Sequence, residues 1–212
     1  MRDCLADIAA LAEVDLAEKP KAYSEAMRHA YWEDKDLAGA IAIAFAGISR
    51  LLADARLADV SRSLELRVQA KQLTYDLASF TWPGWDEPGI IVTPPEMRAG
   101  LAAARANLRM AQELEKGDLP LSRAHWMVGA HELSSGHHGE AHASFERAAE
   151  HAARAGNAAE AELALAFTAL AAAALDPSAS ASLDDALVRL AGVEGGGDLV
   201  TQVTTAREAL DL

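Results

Sequence analysis

The chain has 212 residues, of which 51% are hydrophobic and 24% charged, and a formal net charge of -13. Its length supports one core or one continuous stack of small units. The acidic balance, with basic residues scattered instead of clustered, argues against nucleic acid or an anionic membrane as partner.

In chain order, the start MRDCLADIAALAEVD carries acids inside its apolar part, so it does not read as a secretory signal. The one cysteine, Cys4, leaves no disulfide framework and no cysteine-based zinc site within the chain. Aromatics are only 5%, so alanine, leucine and valine must fill most of the core. Alanine is also the best helix former. Periodicity and punctuation predict helices near 3–17, 20–33, 36–57, 61–81, 94–116, 121–135, 138–155, 157–175, 181–192 and 198–210. Pro20 suits a first helical turn, Asp36 and Ser61 are placed to cap the helices that follow them, and Thr93 with Glu96 spells a capping box. Gly117 is expected to end one helix, Ser135-Gly136 and Gly156-Asn157 to mark turns, and Gly195-Gly196-Gly197 to set off a last short helix. That last segment, 196–212, reads as a cap on the stack or a fraying end. The apolar runs Leu37 to Ile48 and Leu163 to Leu175 fall short of the roughly 20 residues that span a bilayer, so they read as buried helices in a cytoplasmic protein.

One stretch breaks the helical pattern: SFTWPGWDEPGIIVTPPE, residues 79–96, with two of the four tryptophans and four of the seven prolines. Ile90-Ile91-Val92 is its only β-like run, and three residues between prolines do not make a sheet. Trp85, Ile90 and Ile91 are apolar enough to demand a surface. The loop is therefore expected to be ordered and to fold back over the helices, as an anchor or as a ligand contact.

Within HWMVGAHELSSGHHGEAHASFERAAEHA, Gly129, Ala141, Phe145 and Ala148 follow at intervals of twelve, four and three. A small residue on one helix lets the next cross closely, and an aromatic one turn on fills the gap to the following pair. This segment resembles the tetratricopeptide repeat (TPR) family, most clearly over residues 121–155. Glu132 departs from the family pattern where an aromatic is usual, and Ala153 where proline is frequent. Weaker matches fall at Ala40, Ala44 and Gly47 with Tyr31, and at Ala104, Leu108 and Ala111 with Ala78. Ala78 lies 26 residues before Ala104 instead of 12, which makes the loop at about 81–94 an insertion between the two helices of one unit.

The resemblance implies an all-α domain over 1–212, with antiparallel helix pairs stacked as a TPR-like right-handed superhelix. It further implies a non-enzymatic binding or scaffold module that presents a concave groove to a protein or peptide. Carrying the groove offsets across, with Arg28, Ala78 and Gly129 as register marks, names His29, Trp32, Gln72, Tyr75, Trp82, Arg123, Trp126 and Ala130. Trp32 and Trp126 also read as core residues, since a tryptophan on an alanine-rich helix is usually buried. The lysine, asparagine and arginine set with which some TPR domains clamp a peptide carboxylate is not reproduced, although Arg123 lies near it. The acidic charge favours a basic or neutral partner and also serves solubility.

Two other readings remain. Six of the seven histidines lie between 125 and 151, and His138, His142 and Glu146 share a helix face, as metal ligands would. The same residues read as an ordinary solvated face. No nucleophile elbow or phosphate loop appears, and no cofactor is expected. A self-associating structural protein, paired through the loop or the alanine-rich helix at 161–175, is the third reading.

Overall fold

The computed structural model describes residues 4–212, and among them it is all-helical. Ten helices follow in order: α1 (Cys4–Ala12), α2 (Lys19–Trp32), α3 (Leu37–Leu57), α4 (Val60–Phe80), α5 (Pro94–Glu113), α6 (Asp118–Ser134), α7 (His138–Arg154), α8 (Ala158–Leu175), α9 (Ser180–Ala191) and α10 (Gly196–Ala209). The expected helical start at Asp3 lies outside the described residues.

Local chemistry explains most boundaries. Asp36 accepts the Gly39 N–H at 2.9 Å and opens α3. Glu96 accepts both the N–H and the hydroxyl of Thr93, at 2.6 and 2.7 Å, which fixes the start of α5 after the loop. Several boundaries differ from the sequence expectation. The first helix stops at Ala12, not 17, because the Lys19 ammonium donates to the Ala12 carbonyl at 3.1 Å and pins that end to the start of α2. Asp59, not Ser61, caps α4, accepting the Arg62 N–H at 3.0 Å. Gly117 does not terminate α5. Glu115 takes the left-handed backbone there (φ 48°), and Gly117 is the residue from which α6 starts. Ile90 to Val92 form no strand, and Ile91 is exposed.

From α2 to α9 each helix packs on the next, and α2 also meets α4, α4 meets α6, and α6 meets α8. Except across the loop, the connections are short, so packed neighbours run antiparallel. The even-numbered helices thus share one layer. By length and composition alone, α3 and α8 are apolar enough to cross a membrane. The apolar runs noted in the sequence sit inside α3 and α8, whose lengths match expectation, each packed between its chain neighbours. Helix α10 packs on α8, on α9 and on a 3-10 turn (Pro83–Trp85) within the loop.

Small residues set the helix spacing. A Cβ at Gly129 would lie 2.9 Å from the Phe145 ring, and one at Gly47 would lie 2.8 Å from the Tyr23 ring. Ala141, Phe145 and Ala148 are fully buried. Glu132, also buried, accepts from Arg105 at 3.1 Å and from Ser144 at 2.7 Å, so a carboxylate bridges α5, α6 and α7.

Gly129→Ala is expected to cost about 1–3 kcal/mol through overpacking against Phe145. Urea unfolding monitored by circular dichroism measures this, and an unchanged midpoint would refute the close approach of α6 and α7.

Candidate functional site

The loop after α4 is ordered around two tryptophans. Trp82 is buried, and its indole N–H donates to the Ala130 carbonyl at 2.9 Å and the Ser134 hydroxyl at 2.8 Å. Its ring meets Trp85, Trp126 and Phe167 edge-on, at centroid distances of 4.7, 5.2 and 6.1 Å. The Trp85 N–H donates to the Ser79 carbonyl at 2.9 Å, so this half-buried ring is held by its own helix end.

Two recesses lie on either side of Trp85. The first, about 190 Å³, is walled by Tyr75 of α4, Trp85, Arg123 and Trp126 of α6, Glu160 of α8, and Leu199 of α10. Arg123 Nε donates to Glu160 at 2.9 Å. Ser122, at the same cavity, has its hydroxyl committed to the Ala148 carbonyl at 2.8 Å. Burial raises the Tyr75 hydroxyl above its ordinary range, against the pull of Arg123. The buried Trp126 N–H has no hydrogen-bond partner, the costly state for a donor away from water.

The second recess, about 340 Å³, is lined by Tyr31, Trp32, Ser79, Phe80, Trp85 and Glu87. Tyr31 and Phe80 stack at 4.1 Å, and Trp32 stands edge-on to Tyr31 at 4.7 Å with 47% of its surface exposed. Burial, with the Glu87 charge adding to it, pushes the Tyr31 hydroxyl up to about 12.

Of the residues named from the repeat register, Tyr75, Arg123 and Trp126 meet at the first recess and Trp32 lines the second. His29 lies outside both, exposed and 3.8 Å from Asp34. Gln72 lies outside too, donating to Asp76 at 2.7 Å; burial lifts the Asp76 carboxyl against the opposing pull of Gln72 and of Arg28. Two assignments need correcting. Trp82 and Ala130 are fully buried and bonded to each other, so they belong to the core and not to an accessible binding surface. Sequence reasoning missed Glu87, Glu160, Leu199 and Gln202. Only the apolar spacing of Leu199 and Val203 hinted that the last helix has a packed face.

The histidines do different work. Nε2 of His131, buried against Gly100, lies 2.8 Å from the Ala78 carbonyl and donates to it. Burial pushes His131 down to about 4. His125 stacks on His151 at 5.5 Å, and burial, with the His151 and Arg147 charges, pushes it to about 4 as well. His151 lies 2.7 Å from Asp118, whose carboxyl is held below its usual range by hydrogen bonds from His151 and Arg154. His142 lies 3.5 Å from Glu146. Among the described residues no three His, Cys, Asp or Glu side chains converge on a metal position, so His138, His142 and Glu146 do not assemble the site their spacing allowed.

The chain matches no protein-family model, and no curated protein matches it.

His131 is neutral when folded, with a pKa of about 4 against 6.5 for the free group. Its contribution to stability is complete above pH 6.5 and is lost as the pH falls to 4, because the unfolded chain takes up the proton first. The loss is on the order of 3 kcal/mol. Urea midpoints from pH 7 to pH 4 should fall steeply for the wild type and less steeply for His131→Gln. Equal slopes would refute it.

Proposed function

We propose that the chain is a TPR-like stack of helix pairs acting as a non-enzymatic module that binds a peptide or protein segment along the even-numbered helices. The observation that carries this reading is the meeting of Tyr75, Arg123 and Trp126 at one cavity. They come from two helices, and the TPR resemblance implies all three as groove residues. The chain of contacts from α2 through α8 in one layer supports the stacked geometry, and Trp32 in the adjoining recess extends the same surface.

Affinity comes from burying apolar ligand surface against Tyr75, Trp85 and Trp126, rigid side chains that lose little entropy on binding. Arg123 and Glu160, fixed by each other, offer one donor and one acceptor edge. The loop and α10 wall the site, so the segment is clasped between them and α6 instead of lying in an open trough. A chain of charge -13 selects basic or neutral segments. The non-enzymatic reading follows from the TPR resemblance; at the cavity Ser122 is hydrogen-bonded to Ala148, and Arg123 to Glu160.

Panning a random peptide display library tests this. Enriched peptides are expected to bind with dissociation constants on the order of micromolar. Tyr75→Ala and Arg123→Ala, both partly solvent-facing, should each weaken them about tenfold or more with the fold intact by circular dichroism. Enriched peptides that bind Tyr75→Ala as well as wild type would overturn the assignment.

A further inference from the structure

A cation already contacts two of the residues that line the second recess, Trp32 and Glu87. Lys35, in the turn between α2 and α3, places its ammonium 5.4 Å from the centroid of the Trp32 ring, inside the range at which a cation is drawn to an aromatic face. The same ammonium donates to Glu87 at 2.7 Å. So the recess joins a half-exposed tryptophan, the stacked Tyr31 and Phe80 rings, the edge of Trp85 and one carboxylate. Its surroundings are acidic: Glu33, Asp34 and Asp86 are exposed in the two segments that border it. It also lies at the C-terminal end of α2, where the helix dipole favours positive charge.

We propose that this recess, between Trp32 and Glu87, seats an arginine side chain of the bound segment, with Lys35 holding the seat in the free protein. The inference rests on the peptide-binding reading above and assigns its second contact. The chemistry selects arginine over lysine. A planar guanidinium stacks on the Trp32 face and pairs with the Glu87 carboxylate through two N–H groups at once, whereas an ammonium is a compact point charge. Lys35 is a weak occupant. It makes one cation–π contact and one partly exposed ion pair, and its flexible side chain returns to water when displaced. Lys35 therefore acts as an internal competitor. Removing it should strengthen binding, the reverse of what a ligand contact or a structural clasp would do.

The test uses the full chain and N-acetyl-arginine-N-methylamide as probe, with the glutamine analogue as neutral control. Nitrogen-15 NMR follows the indole signals of the four tryptophans. The arginine probe is expected to shift the Trp32 indole saturably, and the glutamine probe to leave it still. Lys35→Met should tighten the arginine probe about three- to tenfold, Lys35→Arg, a stronger internal competitor, should weaken it, and Glu87→Gln should weaken it severalfold. Unchanged or weakened binding in Lys35→Met, or an equal response to the neutral probe, would overturn the proposal. Peptides that still depend on Tyr75 would then show that only the arginine seat had failed. If Tyr75 dependence fails while the Lys35→Met effect holds, the fault lies in the peptide reading instead.

Discussion

The Trp82 indole N–H bonds to the Ala130 carbonyl and the Ser134 hydroxyl, 48 and 52 residues along the chain. This contact turns a proline-rich excursion into a wall. Burying an indole ring removes about 150–250 Å² from water, worth roughly 4–6 kcal/mol, and the two acceptors offset the desolvation of its N–H. Once Trp82 is seated, the 3-10 turn after it must lie on α6, and Trp85 follows edge-on. Trp85 then divides the surface into two recesses, and α10 has a turn to pack on. Gly84 is part of the same constraint, since a Cβ there would lie 2.3 Å from the Trp82 ring.

Beneath the loop, the stack depends on bare or near-bare backbone meeting aromatic rings. Gly129 lies against Phe145, and Gly47 against Tyr23, at different places in the chain. Gly100 admits His131 and Thr81 to a space that a methyl group would fill. With so few aromatics, alanine-rich helices must approach closely to pack at native density, and each ring then fills a wide gap between pairs. The few large side chains therefore carry disproportionate weight, and four of them, Trp82, Trp126, Phe145 and Phe167, form one continuous cluster.

Features governed by neighbours in sequence were legible. The Asp36 cap, the Thr93–Glu96 box, the turns at Gly136 and Gly156 and the Gly129–Phe145 approach all follow from residues close together or from a repeat offset. Misread features depend on distant partners or on competition between adjacent candidates. Asp59 outranks Ser61 as a cap because a helix can start two residues earlier with an ionised acceptor. The end of α1 is set by Lys19 reaching back to Ala12, which helical periodicity cannot show. Repeat register put Trp82 at the groove end of its helix. It could not show that the chain leaves the helix there and turns the ring inward. The site was half legible for the same reason: Tyr75, Arg123 and Trp126 lie on helices with a fixed offset, whereas Glu87 and Leu199 arrive through a loop and a returning terminal helix.

The electrostatics of the cleft bear on how it can bind. Arg123 faces Glu160, Lys35 faces Glu87, and the Trp85 N–H is taken by Ser79, while the buried Trp126 N–H is left without a partner. A ligand thus gains little from bare charges and must exchange partners. Both ion pairs are substantially solvent-facing, and such pairs contribute only about 0–1 kcal/mol, so exchanging them costs little. What the exchange adds is selectivity. On the proposed reading, a segment that brings a cation to Glu87 would replace the contact it breaks, while an acidic segment would break the Lys35 pair and leave Glu87 facing a like charge. On the proposed reading, the discrimination would lie in charges that are already paired in the free protein, and the aromatic walls would supply the binding energy.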